Sequence, residues 1–216
     1  MATVTSASQH HHQRDTASLL FTVIAIAGLS LLALGWIATT YNRLVRADQE
    51  LRARWSQVQA AAERRAELVP DLVASAEHTS ALDPQSLSEV ARSRGAILAL
   101  TRGQLQNALE EPKTLARFQT AQQELSTALE LLIVEIKARP GLESEPEYLE
   151  LIAQVQGADD RLDLERLRFN EATIAFNKLR SRFPAVLVAA AFGNRFKARP
   201  LLEDTAMGED ATAIDF

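Results

Sequence analysis

The sequence contains no cysteine, which excludes disulfide bonds, thiolate metal sites and catalysis by a nucleophilic cysteine. Aromatic residues make up only 6% of the chain and glycine occurs only eight times. Alanine and leucine are frequent instead, and this composition favours helices over a sheet. Basic charge is not in excess either, because 23 Lys and Arg stand against 28 Asp and Glu. We therefore expect no nucleic-acid partner.

One uncharged run is long enough to cross a bilayer. It reads LLFTVIAIAGLSLLALGWIA over residues 19–38, and a helix of that length spans roughly 30 Å. A cleaved signal peptide is the alternative, but its apolar region is usually only about 7–15 residues long. The leader here is also weakly basic, because Asp15 offsets Arg14. The sequence predicts a transmembrane anchor over 18–41, with lipid contact through 19–38, behind a short polar tail over 1–17.

The charges that flank the run predict its orientation. One arginine precedes the run, and four follow it closely: Arg43, Arg46, Arg52 and Arg54. The positive-inside rule then places the N-terminal tail outside and the larger domain in the cytoplasm. The tail carries three histidines, His10 to His12. They could bind a divalent metal, but we favour a solvated polar tail and predict neither metal nor cofactor.

The rest of the chain is divided by prolines into helical segments. Apolar residues recur at steps of three and four from Leu51 to Ala76, close to a coiled-coil period, with no turn signal after the anchor. The anchor and this first helix could therefore form one rod that ends near Thr79. Pro84, Pro112 and Pro146 each begin a further amphipathic helix.

These patterns predict an all-α fold, with a single N-terminal transmembrane helix followed by an antiparallel bundle of about four long helices over 42–196. The fourth helix is expected to end at Pro184, and the apolar piece AVLVAAAFG after it to pack on the bundle as a cap. Residues 197–216 are acidic and lack apolar periodicity, so we expect a disordered tail.

Several stripe positions carry polar side chains. Because an unpaired buried charge is costly, these should pair across the bundle or reach its edge. An internal ion site is the alternative, but the acids and histidines for a di-iron site are missing, and a role in helix register is favoured. The positions are Arg94, Gln122, Asp159, Arg166 and Arg180.

Pro70 lies inside the first helix of the bundle. It removes one backbone donor and crowds the carbonyl of Ala66, so we expect the helix to bend there. Arg64 and Arg65 precede it. They could pair with Asp159 or Asp160 of the fourth helix or face water, and water is slightly favoured.

Five segments together resemble the LemA family of bacterial membrane proteins: YNRLVRADQELRARWSQV from residue 41, RRAELVPDLV from 64, FQTAQQELSTALELLIVEIKARPGL from 118, LIAQVQGADDRLDLERLRFNEATIAFNKLRSRFP from 151, and FG at 192. Each is weak alone, but their order and spacing are fairly specific. Gly157 begins GADD, where relatives tend to have Gly followed by Thr-Glu-Asn. The N-terminus and the acidic tail match no family pattern.

The resemblance implies a single-pass, all-helical protein of the bacterial inner membrane, without catalytic residues. Some relatives are linked to membrane remodelling and others to membrane protease systems. The positions that carry the family motifs or the polar stripe are Tyr41, Asn42, Trp55, Arg64, Arg65, Pro70, Gln122, Gly157, Asp159, Arg166, Asn170, Phe183, Pro184, Phe192 and Gly193.

The sequence contains no serine-based elbow, phosphate loop or zinc helix, so we expect no enzymatic activity. We expect a scaffold that self-associates at the cell membrane, because an anchored protein reaches a high local concentration there. The alternative is an adaptor for another membrane protein, such as a protease or transport component, with the C-terminal AIDF as a captured peptide. A third possibility is a signalling stalk, although only a short tail lies outside.

Overall fold

The computed structural model of the chain describes residues 6–78, 83–103, 105, 108–138 and 146–202. Its elements are five α-helices followed by one 3₁₀ turn, and the described residues contain no strand. The helices are α1 (Ser6–His78), α2 (Pro84–Gly103), α3 (Pro112–Lys137), α4 (Pro146–Ser181) and α5 (Ala185–Ala191), and the turn covers Gly193–Phe196. The predicted all-α fold is confirmed.

The helices begin at the predicted prolines. Pro84, Pro112 and Pro146 are the first residues of α2, α3 and α4. Proline suits this position because its fixed φ is helical and its missing N–H would have no partner in the first turn. Asp83 precedes α2, and its carboxylate accepts a hydrogen bond of 3.0 Å from the backbone N–H of Gln85. This bond makes Asp83 the N-cap of the helix.

The predicted rod is confirmed, because α1 runs without a break through the apolar run and into the bundle. It begins at Ser6, ahead of the predicted anchor. Side chains 20–39 are all exposed, with a mean hydropathy of 2.3 over the most apolar stretch. Among the described helices, only α1 is long and apolar enough to cross a membrane.

Neighbouring helices run antiparallel. Trp55 of α1 contacts Phe169 of α4, whereas Arg65, farther along α1, contacts Asp159, which is earlier in α4. The pairs of Ala66 with Arg94 and Glu63 with Arg102 show the same reversal between α1 and α2. Short connections between successive helices favour this arrangement.

The core consists of two apolar clusters stacked along the bundle axis. The proximal cluster, nearest the apolar run, includes Leu51, Trp55, Phe118, Phe169 and Phe176. The distal cluster includes Leu72, Ile97, Leu125, Leu132 and Val155. On α1 the proximal cluster ends at Ala62 and the distal one begins at Ala66. The boundary between them contains Arg65.

The C-terminal part closes the proximal end of the bundle. α5 packs through Ala185, Val188 and Ala189, which confirms the predicted cap. Residues 197–202, which we call the C-terminal strap, then run along the bundle without regular secondary structure, starting from an extended backbone at Lys197. The tail predicted from residue 197 therefore begins too early, because the buried side chains of Arg199 and Leu202 hold the strap in place. The rest of that predicted tail, 203–216, lies outside the described residues.

Candidate functional site: a polar layer within the bundle

A layer of polar side chains separates the two apolar clusters. Its centre is Arg65, whose side chain is only 1% exposed. One terminal nitrogen of Arg65 donates to Asp159 Oδ2 at 2.9 Å and to Ser126 Oγ at 3.1 Å. These contacts join α1, α3 and α4. The prediction that slightly favoured water is wrong for Arg65, because the side chain points into the bundle and pairs with the acid named as its alternative partner.

Burial controls the charges in this layer. It lowers the pKa of the Arg65 guanidinium, and the neighbouring Asp159 carboxylate opposes that shift. Burial also raises the pKa of the Asp159 carboxyl, against the opposing effect of Arg65. Asp159 keeps 42% of its side-chain exposure, so water still reaches the carboxylate. An arginine remains charged at neutral pH, and its contact of 2.9 Å with the Asp159 carboxylate lies at the edge of the core.

Two further polar residues complete the layer. Gln122 precedes Ser126 by one turn of α3 and is fully buried, and both polar atoms of its amide lack a hydrogen-bond partner among the described residues. Arg166 pairs with Asp163 on α4 at 3.3 Å, and its charge acts on Arg65. The described residues contain no group of three histidine or acidic side chains placed to hold a metal. The bonds of Arg65 hold one turn each of α1, α3 and α4 beside one another.

Pro70 and Arg94 are coupled through one carbonyl group. Pro70 has no N–H to donate to the carbonyl of Ala66, four residues earlier in α1. That carbonyl instead accepts a hydrogen bond of 2.9 Å from Arg94 Nε of α2. The polar stripe position Arg94 thus compensates the donor that Pro70 removes, and it ties α2 to α1 beside the polar layer.

The C-terminal strap is held by two asparagines of α4 that lie two turns apart. The Asn177 amide donates to the Arg199 carbonyl at 2.9 Å and accepts from the Arg199 N–H at 3.0 Å. Asn170 makes the same pair of bonds with Leu202, at 2.8 and 2.9 Å. Side-chain amides here do what a neighbouring strand would do for an extended backbone.

Arg199 reaches from the strap into the bundle. Its guanidinium donates to Asp48 Oδ1 at 3.0 Å and to the Leu109 carbonyl at 3.1 Å. Arg52 extends this network by donating to Asp48 at 2.9 Å and to Glu110 at 2.8 Å. The hydrogen bond from Arg52 lowers the pKa of the Glu110 carboxyl.

The structure separates the remaining motif residues into several environments. Trp55 is buried and donates to the Leu105 carbonyl at 3.2 Å. Tyr41 and Phe192 pack against each other at the proximal end, with ring centroids 4.8 Å apart and the ring planes tilted by 48°. Gly193 has a φ of +50°, which favours glycine. The positions on the surface or half-exposed are Asn42, Arg64, Gly157, Phe183 and Pro184, of which Arg64 pairs with Glu67 on its own helix.

Arg180 was among the predicted stripe charges, whereas the strap network shows what sequence reasoning missed. Arg180 lies at the edge of the bundle and donates to the Phe196 carbonyl at 2.7 Å, one of the two outcomes expected for stripe charges. Arg199, Asn177 and Asp48 were not singled out, because the strap was assigned to a disordered tail. The available signals were Pro200, which favours an extended residue before it, and two asparagines seven apart on α4.

The comparisons with known proteins agree with the motifs. The model of the LemA family matches residues 54–216. The match begins after Tyr41, where the resemblance was expected to start, and it includes the acidic tail, for which no family pattern was expected. No curated protein matches the chain.

Proposed function

We infer that the chain, which belongs to the LemA family, acts as a non-enzymatic scaffold that is anchored in the bacterial inner membrane and self-associates there. Three features support this inference, because each ties helices together: the polar layer, the coupling of Pro70 and Arg94, and the C-terminal strap. None of the three contains the convergent nucleophile, acid and base of an enzyme site. We therefore propose that their polar groups hold the helices of the bundle in position.

The observation that carries self-association is a second apolar stripe on α4. The inward stripe includes Leu162, Phe169 and Phe176, which are buried. Leu164, Leu167 and Ile174 project from the opposite face and are exposed. With Glu171 and Lys178 they follow steps of three and four, the period of a coiled-coil seam. We call these three apolar side chains the outer stripe, and we propose that it contacts a second copy.

Anchoring in a membrane would favour this contact between two copies. Anchoring confines the chains to two dimensions, so a short stripe gains from a high effective concentration. We propose that the anchor is residues 19–38, with the N-terminal tail outside and the bundle in the cytoplasm, because basic residues follow the run.

Light scattering of the full-length chain in mild detergent tests the proposal. We expect a defined multiple of 23.8 kDa for the wild type, and the monomer mass for the double variant L167E/I174E. The matched control is L131E/V134E, which alters an equally exposed apolar pair on α3 and should keep the wild-type mass. A monomeric wild type would contradict the proposed contact through the outer stripe. A wild-type multimer that is lost in L131E/V134E but kept in L167E/I174E would contradict it as well.

The adaptor is the alternative that the same preparation can reveal. A monomer that co-purifies in fixed ratio with another membrane protein would support it. Deleting 203–216 tests the tail as the captured peptide, since that deletion leaves the C-terminal strap and its asparagine bonds intact. Unchanged recovery of the partner would exclude the tail.

A further inference from the structure

The segment that closes the proximal end of the bundle has no polar face. It reads FPAVLVAAAFG over residues 183–193. One side of α5 packs on the bundle through Ala185, Val188 and Ala189. The other side leaves four large apolar residues exposed, which we call the base patch: Phe183 at 77%, Val186 at 40%, Leu187 at 59% and Phe192 at 48%.

Ring contacts place the base patch beside the end of the apolar run. Phe183 lies next to Trp36, with ring centroids 6.1 Å apart, and Trp36 belongs to the uncharged run of 19–38. Phe192 lies next to Tyr41 at 4.8 Å. A helix rises about 1.5 Å per residue, so these two contacts are about 7.5 Å apart along α1. If the run crosses a bilayer, Phe183 is at the depth of its last apolar turn.

The surroundings of the base patch are basic. Residues 172–202 contain six Lys and Arg and no acid, although the whole chain carries a net charge of -5. Arg182, Arg195 and Lys197 are exposed, and Arg195 also lies over the Tyr41 ring at 5.5 Å. Arg43 and Arg46 follow the run on α1 and are also exposed. The positive charge is thus concentrated where α1 leaves the apolar run.

We propose that the base patch docks on the anionic phospholipid surface from which the anchor emerges. Its apolar side chains would enter the boundary between headgroups and acyl chains, where aromatic rings are also favoured. Arg182, Arg195 and Lys197 would contact the negatively charged headgroups. The proposal rests on the anchor in the proposed function, and it adds that the bundle itself lies on the bilayer in a fixed orientation.

Single spin labels on the full-length chain in vesicles of phosphatidylglycerol and phosphatidylcholine test the docking. The chain has no native cysteine, so each introduced cysteine is labelled alone. We compare accessibility to oxygen, which enters lipid, with accessibility to a water-soluble nickel chelate. L187C should favour oxygen, as L29C in the anchor does. L131C is the matched control, because Leu131 is 56% exposed but lies on the distal half of α3, and it should favour the nickel chelate.

The other outcomes contradict the proposal in distinguishable ways. A water-exposed label at 187 beside a lipid-exposed label at 29 would overturn the docking and leave the anchor intact. A label at 187 shielded from both reagents would identify a protein contact instead of lipid. A water-exposed label at 29 would overturn the anchor and the docking together.

The role of charge is tested by lipid selectivity. Association of spin-labelled phosphatidylglycerol with the reconstituted wild type should exceed that of phosphatidylcholine. In the variant R182Q/R195Q/K197Q, the ratio of phosphatidylglycerol association to phosphatidylcholine association should be several-fold lower than in the wild type. Removing the same charge from Arg64, Arg92 and Arg102, which are 68–70% exposed far from the base patch, should leave the preference unchanged. Equal selectivity in the base variant and the wild type would overturn the electrostatic part of the proposal.

Discussion

Arg64 and Arg65 are adjacent in the sequence, but their side chains have opposite surroundings. Arg64 is 70% exposed and pairs with Glu67 on its own helix, whereas Arg65 crosses the core to Asp159 and Ser126. Successive helical positions differ by about 100° around the axis, so only one of the two can lie on the inward stripe.

The first prediction compares these two arginines. R65A should lower the free energy of unfolding by about 3 kcal/mol, because it removes a buried side chain together with its bonds to Asp159 and Ser126 and leaves a gap between the two clusters. R64A should change it by no more than about 0.5 kcal/mol, as is usual at an exposed position. Urea unfolding of both variants gives the measurement. Equal losses would show that the polar layer contributes nothing particular to stability.

The second prediction concerns the pH dependence that Glu110 contributes. Its folded pKa is lowered by the bond from Arg52, so the stabilisation is complete above the ordinary glutamate pKa of about 4.3. It is lost as the pH falls through the lower folded value. The side chain is 53% exposed, so the effect should stay below about 1 kcal/mol.

E110Q measures this contribution. The variant should be slightly less stable than the wild type at neutral pH, and the difference should shrink on acidification below the glutamate range. E130Q, at an exposed position on α3, serves as the control and should not reproduce that pattern. A difference between E110Q and the wild type that stays constant with pH would contradict the role of the Arg52 bond.

At the scale of helices, signals from residues close together in the sequence predicted where the helices begin. Prolines marked the starts of α2, α3 and α4 because proline acts on its own backbone and its immediate neighbours. The strap was missed because its order depends on contacts with residues far away in sequence, such as Arg199 with Asp48. The pairing of Arg65 depends in the same way on how α4 packs against α1. Periodicity identifies a stripe but does not identify the partner of a charge within it.

The coupling between Pro70 and Arg94 gives the third prediction. R94A removes the side-chain donor that bonds the Ala66 carbonyl in place of the missing Pro70 N–H, and it should cost about 1–3 kcal/mol. In a P70A background the substituted residue supplies its own N–H to that carbonyl, so the same change at Arg94 should cost less. A double-mutant cycle measures the difference. Additive effects would show that the Arg94 bond does not compensate for the proline.

At the scale of the whole molecule, the predicted fold class and family are confirmed. Self-association, orientation and partners remain proposals, because they depend on surfaces and membranes outside a single chain. The outer stripe and the base patch also escaped sequence reasoning. The outer stripe lies within one quoted motif segment and the base patch lies largely within the predicted cap, and only the packing showed which of their faces stay exposed.

Orientation is the fourth prediction. In spheroplasts, a membrane-impermeant maleimide should label T5C in the N-terminal tail and should not label L131C on α3. Both variants should be labelled after lysis, which controls for reactivity. Labelling of L131C in intact spheroplasts would reverse the orientation, and it would also place the basic surroundings of the base patch on the outer side.

Because α1 is continuous, it connects the apolar run directly to the distal end of the bundle. From Thr40 to His78 the helix has no break, and at 1.5 Å per residue its distal end lies about 57 Å along α1 from the end of the apolar run. Anchors tilt to match the bilayer thickness, and a change of about 10° would displace that end by about 10 Å. If the proposed anchor crosses the bilayer, small changes in lipid composition would therefore be amplified at the distal end of α1, and docking of the base patch would limit the change in tilt.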